Sequence, residues 1–226
     1  MRRAWGVWQF LFDFDGTILD TTDLILKSFA HTFETGLGES ISREELLVHF
    51  GRPLAEQFRI MRPALSDAEI ERLVAIYREH NEITHDELVS IVPGADAGLR
   101  RLKALGFPLG IVTSKRLNMT EQGLKGAGLF DLFDVIVHMD STPNHKPHPE
   151  PVQHALKIMG GAPERAAYVG DSPYDMAAGR AAGVRTLGLI YNTFSEPVLR
   201  EAGADVIAHD WEQVVETLLG WAKSNQ

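Results

Sequence analysis

The sequence predicts an α/β protein: a doubly wound parallel sheet with a helical domain inserted after its first strand. Three observations carry this expectation. From Pro93 onward, short apolar runs bounded by turn residues alternate with amphipathic helical patterns, the rhythm of strand–helix–strand crossovers. Residues 7–12 form an apolar run with the character of a strand buried on both faces, as in parallel sheets. Between these two regions, roughly residues 21 to 88 show helical periodicity alone.

The opening strand ends in Asp13 and Asp15, with Gly16 behind them. Residues 20–36 read as a helix with Leu24, Ile25, Phe29 and Phe33 on one face. Residues 42–50 read as a second helix, with Ser42 and Glu45 at capping-box spacing, and Gly51-Arg52-Pro53-Leu54 breaks it. A third helical piece covers 54–61. Ser66 and Glu69 repeat the capping pattern, and Ile70, Leu73, Val74 and Tyr77 form the stripe of a fourth helix. Residues 81–90 read as helical with a weak pattern. Helices are then expected at 95–105, 117–127, 151–159, 174–182, 196–202 and 211–223, several closed by glycine. Strands are expected at 108–113, 134–139, 166–169, 185–190 and 205–208. The domain division that follows is a Rossmann-like core of residues 1–19 and 89–226, with a helical cap domain at 20–88.

The 226 residues can form one large domain or a main domain with a smaller one. With 44% hydrophobic and 23% charged residues the composition is that of a globular protein. The net charge of −9 argues against nucleic acid as a partner. No segment approaches the ~18 apolar residues of a membrane span. Arg2-Arg3 followed by apolar residues has no small-residue cleavage site and runs into Asp13, so the expected location is cytoplasmic. There is no cysteine, which excludes disulfides and thiolate metal sites. The oligomeric state stays open between monomer and homodimer.

Two carboxylates at the end of a buried strand need a partner, because uncompensated charge is costly to desolvate. A hard divalent cation such as Mg2+ is the simplest one. Further polar groups recur at predicted strand ends: Thr113-Ser114-Lys115, then Lys146-Pro147-His148-Pro149-Glu150, then Gly170-Asp171-Ser172-Pro173-Tyr174-Asp175. Ligands of open parallel sheets bind beyond such ends.

Asp13-Phe14-Asp15-Gly16-Thr17 resembles the first motif of the haloacid dehalogenase superfamily, in its phosphatase branch, and the later strand ends resemble its other motifs in order. The resemblance covers residues 7–19 and 93–208. It implies Asp13 as a nucleophile that forms an aspartyl-phosphate, and Asp15 as the general acid and then base. It further implies Thr113 and the backbone around Ser114 as ligands of the phosphoryl oxygens, with Lys146 neutralising charge. Mg2+ is implied as cofactor, held by the Asp13 carboxylate, the Asp15 backbone carbonyl, Asp171, and Asp175 directly or through water. The second acid, Asp15, separates the chain from the dehalogenase branch, whereas a phosphomutase or a non-catalytic binding module stays possible on the same core.

Cap stretches at 24–35, 77–81 and 85–89 are similar to bacterial inorganic pyrophosphatases of the superfamily, and the core is equally similar to phosphoglycolate phosphatases. The expected substrate is therefore a small anionic phosphate, inorganic pyrophosphate or 2-phosphoglycolate. Gly51 and Arg52 are expected in a cap loop over the leaving group, with Arg52 as a cation for its second anion. Tyr191-Asn192 departs from the family pattern, where many relatives carry glycine.

Overall fold

The computed structural model describes residues 8–48, 50–191 and 193–224, so Val7 of the opening run, His49 of the second helix and Asn192 lie outside the described residues. In chain order the elements begin with β1 (Gln9–Phe12), β2 (Leu19–Asp20), α1 (Thr22–Leu37), α2 (Arg43–Leu47), α3 (Leu54–Met61) and α4 (Asp67–Leu88). There follow β3 (Ser90–Ile91), α5 (Ala95–Ala104), β4 (Leu109–Val112), α6 (Leu117–Gly126), β5 (Val135–Val137) and α7 (Glu150–Met159). The last are β6 (Ala166–Gly170), α8 (Pro173–Ala182), β7 (Arg185–Leu189), α9 (Glu196–Ala202), β8 (Val206–Ala208) and α10 (Trp211–Ser224).

Six strands form one parallel sheet in the order β5–β4–β1–β6–β7–β8. β1 sits in the middle, with Phe12 opposite Ile111 on one side and Val169 on the other. Its residues alternate between two apolar layers, which is why the run is continuously hydrophobic. Phe10 and Phe12 join Leu99, Trp211 and Leu218, under α5 and α10. Leu11 joins Val152, Ala155 and Ala178, under α7 and α8. The doubly wound sheet predicted from the alternating pattern is thus present, with helices on both faces.

The inserted helices bury an apolar cluster of their own, including Phe29, Phe33, Phe58, Ile70 and Leu73. The Ser66 capping box is formed in both directions, with Glu69 Oε2 accepting from the Ser66 N–H at 2.8 Å. At α2 only one half forms: Ser42 Oγ accepts from the Glu45 N–H at 3.1 Å.

One feature departs from the sequence reading. The chain leaves and re-enters the sheet-bearing body through an antiparallel pair, β2 and β3, with Leu19 opposite Ile91 and Asp20 opposite Ser90. Strands of two residues carry no periodic signal, and the helices expected at 20–36 and 81–90 overlap them only at Asp20 and Ser90. The weakly patterned helix expected at 81–90 is present as the C-terminal part of α4, which ends at Leu88; the buried Asn81 and His85 are polar and blur its apolar stripe.

Candidate active site

Strand order reverses at β1, and the loops leaving β1, β4 and β6 meet there. The segments after β1, β4 and β5, with Asp13, Asp15, Thr113 and Lys146, line a cavity of about 140 Å³ whose other wall is the helical insertion. Asp13 continues β1: its N–H donates to the Val169 carbonyl at 2.8 Å, which fixes the carboxylate against β6. The side chain is buried, and Asp13 Oδ1 accepts from Lys146 Nζ at 2.8 Å.

Lys146 lies between two acids, with its second bond to Asp175 Oδ1 at 2.6 Å. Asp175 is placed by the start of α8. Its Oδ2 accepts from the Ser172 hydroxyl at 2.6 Å and the Ser172 N–H at 3.1 Å, a capping box whose reciprocal bond is also made. The Tyr168 hydroxyl stands 2.9 Å from Asp175 Oδ1 and 2.8 Å from the Val112 carbonyl. Both oxygens of Asp175 are therefore engaged by protein groups.

Asp13, Asp171 and Asp175 offer carboxylate oxygens within 4.8 Å of one another. Against these three acids stands one ammonium, so the ionised cluster is left with a negative excess that a hard divalent cation fits. Burial, then Asp175, push the Asp13 carboxyl up to about 7, while Lys146 acts in the opposite direction. Burial, then Asp13 and Asp175, also raise Asp171 well above the carboxylate range. Burial works against the Lys146 ammonium, but the two acids overcome it and hold the group above the ordinary lysine range. Gly16 makes room for this cluster. Its φ is +76°, and a Cβ there would lie 2.2 Å from Asp171 Oδ2. With Asp175 committed, the carboxylate oxygens with capacity for a cation are those of Asp13 and Asp171.

The sign of the pH dependence follows. An Asp13 carboxyl that holds its proton more tightly when folded stabilises the metal-free fold below the unfolded value of 3.8, and that contribution is lost as pH rises toward about 7. The melting temperature in chelator is expected to fall between pH 5 and 8. Added Mg2+ is expected to raise it more at pH 8 than at pH 6, because binding needs the deprotonated acids. Thermal melts at the two pH values, with and without Mg2+, measure this. A pH-independent increment would contradict the clustering argument.

Asp15 stands beside the cluster. Its Oδ1 accepts from Thr21 Oγ1 and from Lys115 Nζ, both at 2.7 Å. Thr113 is buried, and its Oγ1 accepts the Lys115 N–H at 3.1 Å. Ser114 Oγ donates to the Gly51 carbonyl at 3.3 Å, so the loop 51–54 does reach the turn after β4. Gly51 has φ +88° and lies against Ser172 and Tyr174, where a side chain would crowd both. Arg52 lines the cavity, but its guanidinium is paired with Glu56 and lies 4.8 Å over the Tyr174 ring. All the residues singled out from the sequence thus gather at one end of the sheet. Tyr191, beside Asn192, bonds Asp20 Oδ2 at 3.0 Å, near the β2–β3 crossing rather than in the cavity.

Several residues of the site were not legible beforehand. Lys115 was seen at its strand end, but its partner Asp15 is 100 residues away. Tyr168 lies within the strand expected at 166–169, and nothing in the sequence marks its bond to Asp175. Gln57, Tyr77 and Arg78 of the insertion line the cavity, and burial followed by the Asp15 charge pushes the Tyr77 phenol up.

The sequence profile of haloacid dehalogenase-like hydrolases matches residues 10–189. Pyrophosphatase PpaX of Halalkalibacterium halodurans is 36% identical over 206 residues, covering 91% of this chain and 94% of the relative. Pyrophosphatase PpaX of Bacillus pumilus is 42% identical over 189 residues, covering 84% and 86%. Among solved structures, a haloacid dehalogenase-like family hydrolase of Streptococcus pneumoniae superposes with a TM-score of 0.82 at 28% identity, covering 94% of this chain and 98% of its own. A predicted phosphoglycolate phosphatase of Haemophilus somnus shares the fold, with a TM-score of 0.84 at 22% identity, covering 95% and 99%.

Proposed function

Because the chain belongs to the haloacid dehalogenase-like hydrolases, we propose that it is a Mg2+-dependent phosphohydrolase that cleaves inorganic pyrophosphate through an aspartyl-phosphate on Asp13. The observation that carries this reading is the buried group of Asp13, Asp171 and Asp175 around Lys146, at the point where strand order reverses. The choice of pyrophosphate over 2-phosphoglycolate rests on the named relatives, which match across most of the chain. A cytoplasmic location belongs to the same reading.

In this account the Asp13 carboxylate attacks phosphorus, and the bond from phosphorus to the bridging oxygen breaks. Asp15 delivers a proton to that oxygen, so that orthophosphate leaves. Asp15 then takes a proton from water as the water oxygen attacks phosphorus and the bond to Asp13 breaks. Lys115 and Thr21 hold the Asp15 carboxylate in place between these steps. Thr113 and the N–H groups after β4 bind the phosphoryl oxygens. Lys146 offsets charge on Asp13 and on the phosphoryl group, and Asp175, fixed by Ser172 and Tyr168, keeps the ammonium there. Asp13, Asp171 and the Asp15 backbone carbonyl would hold Mg2+, with Asp175 at its edge, and the bound ion supplies positive charge for the phosphoryl oxygens.

We assign residues 20–88 as the cap over this site and 1–19 with 89–226 as the core, the two crossing segments being paired as β2 and β3. The test is phosphate release from pyrophosphate, 2-phosphoglycolate and p-nitrophenyl phosphate, with Mg2+ and with excess chelator. Turnover is expected with Mg2+, highest on pyrophosphate, and lost in chelator. Full activity in chelator would sink the metal-dependent reading, and preference for 2-phosphoglycolate would sink the substrate assignment.

A further inference from the structure

We propose that Arg78 of α4 and Arg116, the residue preceding α6, form a two-arginine clamp for the distal phosphate of the leaving group. This deepens the pyrophosphate reading and rests on it, by naming the side chains that recognise the part of the substrate not attacked.

Both arginines line the cavity that also contains Asp13, Asp15 and Lys146. They approach it from opposite walls, Arg78 from the helical insertion and Arg116 from the sheet-bearing body. The other cationic side chains on the cavity wall are already neutralised: Lys146 by Asp13 and Asp175, Lys115 by Asp15, and Arg52 by Glu56. Among the described residues, the guanidinium groups of Arg78 and Arg116 make no ion pair or hydrogen bond. Glu82, one turn along α4, lines the same cavity without pairing with either. Burial and the charge of Arg116 both weigh on the Arg78 guanidinium, and Asp140 relieves this only in part. Two always-charged guanidinium groups thus line one cavity with no anion paired to either.

The kind of anion follows from geometry. A carboxylate has two oxygens whose acceptor sites lie in one plane, so two forks must share that plane to bind it. A terminal phosphate has three oxygens in a tetrahedral arrangement and can accept from two forks at once. A second observation on the cavity wall agrees. The buried Gln57 donates Nε2 to the Arg52 carbonyl at 2.9 Å, which fixes the amide orientation and leaves Oε1 buried with no donor. A phosphate that retains a proton near neutral pH supplies such a donor, and an ionised carboxylate does not.

The experiment uses Arg78→Gln, Arg116→Gln and the double variant of the full chain, with circular dichroism confirming the fold. Each single variant is expected to lower kcat/KM for pyrophosphate by about 10- to 100-fold relative to its effect on p-nitrophenyl phosphate, chiefly through KM, the scale of a hydrogen bond to a charged group. The double variant is expected to lose less than the product of the two single losses, since the clamp works as a unit. The loss on 2-phosphoglycolate is expected to be the smaller of the two. Equal proportional loss on all three substrates, or no loss, would overturn the clamp. A loss on 2-phosphoglycolate as large as that on pyrophosphate would overturn its assignment to phosphate. Calorimetric binding of methylenediphosphonate, which cannot be hydrolysed at its bridge, separates this proposal from the catalytic one. Wild type binding at least tenfold tighter than both variants supports the clamp even if no substrate turns over, and equal affinity overturns it.

Discussion

Asp13→Asn is expected to lower phosphate release from pyrophosphate by roughly 10⁴-fold or more, the scale on which loss of a nucleophile acts. The amide keeps the shape and the backbone bond to Val169, so the change is confined to charge and nucleophilicity. The variant is expected to remain folded, because the substitution removes a carboxyl that burial and then the Asp175 charge already press upward. Steady-state rates and a melting curve on the same preparation check both halves. Wild-type turnover by a folded Asp13→Asn protein would remove Asp13 from the chemistry.

Lys146→Ala is expected to lower kcat by about 10²- to 10³-fold, the usual effect of deleting one electrostatic stabiliser. It also unpairs Asp13 and Asp175, which Lys146 bridges at 2.8 and 2.6 Å in a buried setting. Removing one partner of a buried ion pair costs about 3–5 kcal/mol. The metal-free variant should therefore melt well below wild type, and Mg2+ should restore more of its stability than it adds to wild type. The check is kcat under saturating Mg2+ together with melts across a Mg2+ titration. A variant within twofold of wild type in rate would leave Lys146 as scaffold only.

The alternating strands and helices of the core were readable because each strand is buried on both faces and each helix has one apolar side. The insertion was readable for the same reason, since Phe29, Phe33, Ile70 and Leu73 face a cluster of their own. The β2–β3 crossing was not, because a two-residue strand has no period to detect. Within the site, residues at strand ends could be picked out by position, as with Asp13, Thr113 and Asp171, and Lys146 by its place in the segment before α7. Pairings between distant segments could not. Lys115 meets Asp15 only once β4 lies beside β1, and Tyr168 reaches Asp175 only through the turn into α8. The surroundings of Arg52 show the same limit. Its place on the cavity wall followed from the loop, whereas its pairing with Glu56, one turn away, depends on the helix that begins after Pro53.

The central claim is that Asp13 itself carries the phosphoryl group during turnover. An acyl phosphate is reduced by borohydride to the alcohol, which converts an aspartyl-phosphate into homoserine, whereas a free carboxylate is untouched. The measurement is peptide mass spectrometry on enzyme quenched during turnover of pyrophosphate with Mg2+ and then treated with borohydride. The account predicts homoserine at position 13, dependent on substrate and on Mg2+, and none at position 15. Unmodified Asp13 in enzyme caught during rapid turnover, or homoserine at another aspartate, would contradict it.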